Sequence, residues 1–148
     1  MSEIAWELEH SVEVDVSPSF AWSFRTDIRN WNDPPATFSL DGPFAADAQG
    51  TTLLPGQEPF HWCIREVRPG KSFLIEMQLD HATLCFLWRF DRLSERRTKV
   101  TQRIELSGLN AGAYARQVQA GFGSNLSDGM QRLAAEMVAA EKIAHKAG

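Results

Sequence analysis

From Glu7 to Val16 the chain alternates: Leu8, His10, Val12, Val14 and Val16 fall on one side, Glu7, Glu9, Ser11, Glu13 and Asp15 on the other. A period of two sustained over that length predicts a strand with one wet face. His10 is the one non-aliphatic residue in its inner row. Ser17 then offers an N-cap and Pro18 the first position of a helix. Phe20, Ala21, Phe24 and Ile28 follow at helical spacing, with Trp22 and Trp31 nearby. The run Asn30 to Pro35 ends the helix, because proline cannot continue it and restricts the residue before. Two short helices with a bend near Thr26-Asp27 are expected. Weaker strands are expected over Thr37–Phe44 and Gly50–Leu54, divided by turn residues, and a loop over Pro55–Pro59.

Three clearer strands come next. Phe60–Val67 runs into the turn Arg68-Pro69-Gly70-Lys71, and Ser72–Leu79 follows. Centring the hairpin on that turn sets Ile64 opposite Ile75 and Trp62 opposite Met77, and both pairs lie in the apolar rows of their strands. Ala82–Asp91 puts Leu84, Phe86, Trp88 and Phe90 on one face, and Thr98–Ser107 does the same for Val100, Gln102, Ile104 and Leu106. The charged turn between them sets Trp88 opposite Gln102. Glu66 shares the inner parity but lies at the turn end of its strand, where solvent reaches it.

After Gly108-Leu109-Asn110 the period changes. Tyr114, Val118, Phe122, Leu126, Met130, Leu133, Met137, Ala140 and Ala144 recur every three or four residues, one face of a long amphipathic helix over Asn110–Ala147. Gly129 falls within that stripe, where glycine costs about 1 kcal/mol relative to alanine. It admits either a close strand or a ligand. Gly121 and Gly123 weaken the helix earlier, and a break there would gate a space beneath it. Successive strands joined by short turns, with helices gathered on one face, define an α+β domain spanning 1–148.

Composition narrows the function. At 148 residues, 43% hydrophobic and 23% charged, the chain suits one globular domain. A net charge of -4 leaves no electrostatic footprint for nucleic acid or an anionic membrane. No apolar run approaches the ~20 residues needed to span a bilayer. Acids in Met1–Glu9 stand where a secretory signal has basic and apolar regions, so a cytoplasmic location is expected. Cys63 and Cys85 form neither a disulfide framework nor a CxxC pair. His61 and Cys63 offer two metal ligands where zinc needs three or four, so neither metal nor cofactor is expected. No nucleophile-elbow motif or glycine-rich phosphate loop is present. Arg92, Arg96, Arg97 and Lys99 are interrupted by Asp91 and Glu95 and read as a solvated hairpin tip. Cys85 and Leu87 on the outer face would suit a homodimer, with a monomer the alternative.

The first-strand pattern His10 to Val16 followed by Ser17-Pro18 and an aromatic helix, the hairpin Ile64 to Lys71, the strand Thr98-Lys99-Val100-Thr101 and the segment Leu126 to Glu136 together resemble the START-like superfamily, often called SRPBCC. It includes polyketide cyclase/dehydrase-like proteins and the major birch-pollen allergen. The resemblance implies a helix-grip fold: a curved antiparallel sheet of about seven strands wrapped on a long C-terminal helix, with two short helices after the first strand. It also implies a pocket between sheet and helix for a hydrophobic small molecule. Trp62, Met77, Trp88, Phe122 and Met130 would line it, or else form a plain packed core. Its entrance would lie near the Pro34–Thr37 and Leu54–Phe60 loops. His10 and Gln102 would be its polar handles, unless each is bonded into the framework, Gln102 to the Trp88 indole for example. Binding or transport of a hydrophobic molecule is the leading expectation. A cyclase/dehydratase-like enzyme would need an acid–base group in a dry pocket, and His10 is the candidate. A chaperone-ATPase-regulating interaction module is the third expectation.

Overall fold

The structure is a computed structural model that describes residues 4–147, with side chains as far as Ala144. Met1 to Glu3 of the acidic N-terminal stretch lie outside the described residues. The strands are β1 (Ile4–Val14), β2 (Thr37–Leu40), β3 (Gln49–Leu53), β4 (Phe60–Arg68), β5 (Ser72–Leu79), β6 (Ala82–Ser94) and β7 (Arg97–Ser107). The helices are α1 (Pro18–Arg25), a 3-10 turn (Ile28–Asn30), α2 (Ala111–Val118), a π-helical turn (Gln119–Gly123) and α3 (Leu126–Ala147). One sheet holds the seven strands in the order β1-β7-β6-β5-β4-β3-β2, every neighbour antiparallel. β2 to β7 follow chain order because each is joined to the next by a short turn, while β1 adds to the far edge of β7. α3 lies against β1, and α1 bridges β6, β7 and α3. This is the expected helix-grip.

Local chemistry accounts for the joints. The Ser17 hydroxyl accepts the Phe20 N–H at 3.2 Å, and Pro18 opens α1 as expected. Asp27 caps the 3-10 turn through the Arg29 N–H, which makes the bend at Thr26-Asp27. Gly108, at φ +113°, seats the β7–α2 junction on the β5–β6 turn, with a Cβ there lying 2.8 Å from the Ala82 Cα. At the other end of α3 the buried Glu141 meets Arg96 at 3.1 Å and the Ser17 N–H at 3.4 Å. That carboxylate ties the last helix to the N-terminus of the first, where the helix dipole favours negative charge.

The β6–β7 register sets Trp88 opposite Gln102, as the turn predicts. Ile64 does face Ile75, but the β4–β5 ladder shifts between Ile64 and Glu66. The bulge at Arg65 reverses the parity of the rest of β4. Val67, opposite Phe73, turns inward, and Glu66, opposite Leu74, joins the outer face and pairs with Arg68. Glu66 therefore does not share the inner parity. Trp62 is not paired with Met77 in this ladder, which ends at Cys63 and Glu76; it stands opposite Gly50 of β3, while Met77 faces Leu84. β2 stops at Leu40, short of the expected Phe44.

The core runs along the concave face. Phe73 is fully buried at its centre, edge-on to Phe44 at 4.9 Å and Trp22 at 6.0 Å and stacked on Trp88 at 5.9 Å. Leu126, Met130, Leu133 and Met137 are the buried stripe of α3.

Candidate ligand-binding site

The single helix expected over Asn110–Ala147 is broken. α2 ends at Val118, five residues wind as a π-helical turn, and α3 starts at Leu126. Gly121 and Gly123 lie in that turn, where glycine weakens the regular i to i−4 ladder. The turn is held to the sheet by side chains. Trp6 of β1 donates its indole N–H to the Gln119 Oε1 at 2.7 Å, and Phe122 sets its ring edge-on to Phe86 at 5.6 Å. π-helical turns frequently mark functional sites. Because Gln119–Asn125 has two glycines and largely exposed side chains, its amides should exchange at least tenfold faster than those of Met130–Met137. Equal protection in hydrogen-exchange mass spectrometry would rule out a movable segment.

Two inward-facing polar side chains share a cross-sheet line with an indole, and a third polar group packs over that indole. His10 pairs with Gln102, and Gln102 pairs with Trp88. Directly opposed residues share a face, and neighbouring strands lie about 4.8 Å apart. Both His10 and Gln102 are half-buried, and among the described residues neither side chain has a hydrogen-bond partner. The bond from the Trp88 indole to Gln102, one of the two alternatives for that residue, is not formed.

The third group is Arg25, the last residue of α1. Its guanidinium carbon lies 4.2 Å from the centre of the Trp88 ring and 4.3 Å from that of Trp31. The Arg25 carbonyl accepts the Trp31 indole N–H at 2.7 Å, and Trp31 stacks on Trp62 at 5.4 Å. The Arg25 Nε is buried and has no hydrogen-bond partner among the described residues. Burial pushes the guanidinium down to about 9, opposed by the charges of Glu136 and Asp33. It remains protonated at neutral pH. Trp88 is buried while Arg25 and Trp31 are half-buried, so each cation–indole contact is worth between about 0.5 and 2 kcal/mol, of the same order as the roughly 1–3 kcal/mol that an unpaired buried donor costs. Nothing in the sequence reading singled out Arg25, since a basic residue in a last helical turn usually faces water. The available signal was its spacing: Arg25 falls four residues after Ala21, the fully buried residue of α1.

The other expected residues divide. Trp62, Trp88 and Met130 are buried at 4%, 3% and 2% exposure, while Met77 and Phe122 are half-buried. Gly129 is not approached by a strand: a Cβ built on it meets nothing within 4 Å. The space beside it is open. On the helical wheel it lies about 20° from Glu136, toward the edge of the stripe. Arg132, on the same side of α3, bonds Asp33 beyond the 3-10 turn at 3.1 Å.

Elsewhere the described residues hold no group of three His, Cys, Asp or Glu side chains placed to bind a metal. Burial, with Glu76 and Glu105 adding, pushes the Cys85 thiol up to about 11, so it stays protonated at neutral pH. No helix among the described residues is long and apolar enough to cross a membrane.

A curved antiparallel sheet gripping a C-terminal helix, with aromatic and unpaired polar groups facing inward, defines the helix-grip class. The family described as "Polyketide cyclase / dehydrase and lipid transport" matches residues 5–138, and the chain belongs to it, within the START-like superfamily. No curated protein matches the chain. Among solved structures, norcoclaurine synthase from Thalictrum flavum, in complex with dopamine and hydroxybenzaldehyde, is similar at 10% identity and TM-score 0.70, over 93% of this chain and 87% of that one. The Zhui aromatase/cyclase from Streptomyces sp. R1128 aligns at 15% identity and TM-score 0.69, over 89% and 93%. Ara h 8.0201 aligns at 9% identity and TM-score 0.70, over 90% and 98%. At these identities the likeness is one of fold. Family and fold together are those of hydrophobic-ligand binding or a cyclase-like role.

Proposed function

We propose that the protein binds a hydrophobic small molecule between the concave sheet and the C-terminal helices, with His10 and Gln102 as polar handles. The observation that carries this reading is their pairing on the inner face without hydrogen-bond partners among the described residues. Half-buried polar groups on the inner face that no protein group engages are available to a ligand's polar atom. Trp62, Met77, Trp88, Phe122 and Met130 are the proposed apolar walls, and the open space at Gly129 supports room beside α3. The Gln119–Gly123 turn is the proposed movable edge.

A second reading, a cyclase/dehydratase-like enzyme with His10 as general base, draws support from the same unbonded imidazole, which is free to meet a substrate proton. One variant separates the two. Titration with a lipid and aromatic-polyketide panel, followed by tryptophan fluorescence, is expected to give saturable quenching in the wild type. In His10→Ala the affinity should fall about threefold to tenfold if the residue is a handle. If it is the base, turnover falls about a hundredfold or more while binding persists. Absence of saturable quenching across the panel, with no ligand retained in native mass spectrometry, would overturn both.

A further inference from the structure

The aromatic concave face carries a cation whose donors are unused. Contact with Trp31 and Trp88 stabilises the charge of Arg25 but takes none of its N–H groups, and among the described residues its buried Nε has no partner. The acids that bear on its charge, Glu136 and Asp33, are engaged by Arg132 at 3.9 Å and 3.1 Å, and among the described residues neither pairs with Arg25. Arg25 is half-buried, and among the described residues its guanidinium has no hydrogen-bond or carboxylate partner. Its place beside Trp88, which shares a cross-sheet line with Gln102 and His10, suggests the partner it lacks.

We infer that Arg25 is an anion anchor and that the molecule bound here is a hydrophobic carboxylic acid. This rests on the binding reading above and assigns the ligand its class. The planar N–H fork of arginine matches the two oxygens of a carboxylate in a bidentate pair. A dianion such as a phosphate monoester is disfavoured, because Glu136 and Asp33 add repulsion for each further negative charge. The apolar body of the acid lies against Trp88 and the aromatic face, and His10 and Gln102 serve a second polar group farther along the line.

The test pairs each acid with its own uncharged counterpart. Naphthylacetate, dodecanoate and hexadecanoate are titrated against their primary amides by isothermal calorimetry at neutral pH. At least one acid should bind tenfold or more tightly than its amide. Arg25→Met should remove that preference by weakening the acid alone. Arg25→Lys, which keeps the charge but not the fork, guards against misfolding of the first variant and should lose at least threefold of the preference. Equal binding of acids and amides by the wild type, or a preference unchanged in the two variants, overturns the anion anchor and leaves the hydrophobic site standing. Failure of every acid and every amide to bind overturns both.

Discussion

Phe73→Ala should lower the stability of the protein by about 3–5 kcal/mol, the largest loss expected from any single truncation of the core. Phe73 is fully buried, sits in the middle strand of the concave face, and contacts aromatics from three directions. Trp22 reaches it from α1, Phe44 from the β2–β3 connection, and Trp88 from the neighbouring strand. Aromatic pairs in these geometries add about 0.5–1.5 kcal/mol each beyond the area they bury. The strands on either side are fixed by backbone ladders, so the site cannot collapse to fill the vacated volume. Urea unfolding should show the midpoint falling with an unchanged slope. Phe86→Ala, at a half-buried position one row along, should cost clearly less. A loss below about 1.5 kcal/mol at Phe73 would mean that this cluster is loosely filled and that the organising centre lies elsewhere.

How much of this was legible in the sequence depends on which residues carry the signal. The Trp88–Gln102 and Ile64–Ile75 pairings follow from strict alternation on both sides of a short turn, because a slip of one residue would expose the whole inner row. The first helix was readable from Ser17-Pro18, whose chemistry is local. Glu66 was misplaced because the bulge at Arg65 has no glycine to announce it and arises from how β4 meets its partner. For Gly129 the pattern left a close strand or room for a ligand, and the three-dimensional arrangement of the strands removes the first. Arg25 is the deepest case. Its position is decided by two tryptophans, one six residues on and one in a strand far along the chain, so its burial is tertiary. A helix pattern also discounts charged residues as core. Residues at odds with local rules concentrate at functional sites. Arg25 breaks the patterning rule, and the π-helical turn breaks the helix rule.

Gly50→Ala should disturb both the fold and this site, although it adds a single methyl group. The Gly50 φ lies outside the left-handed region, so alanine meets no backbone penalty. The obstacle is Trp62, directly opposite, whose six-membered ring would lie 2.2–2.4 Å from the new Cβ. That indole has little freedom to retreat. Its N–H is bonded to the Thr52 hydroxyl at 3.0 Å, its face is stacked on Trp31, and 4% of it reaches solvent. Overpacking of this kind costs about 1–3 kcal/mol. Displacement passes along the stack from Trp62 to Trp31 and on to the Arg25 guanidinium above it. The expected result is a melting temperature lower by about 3–10 °C for a domain of this size, together with a changed tryptophan emission spectrum. Trp62→Leu removes the obstacle, so the double variant Gly50→Ala/Trp62→Leu should be no less stable than Trp62→Leu alone. That is a coupling of about 1–3 kcal/mol between two directly opposed residues. Strict additivity would show that Gly50 is spared a side chain for some reason other than the ring above it. A coupled pair whose double variant also loses discrimination between acid and amide would connect the β3–β4 edge of the sheet to the anion anchor through the indoles alone.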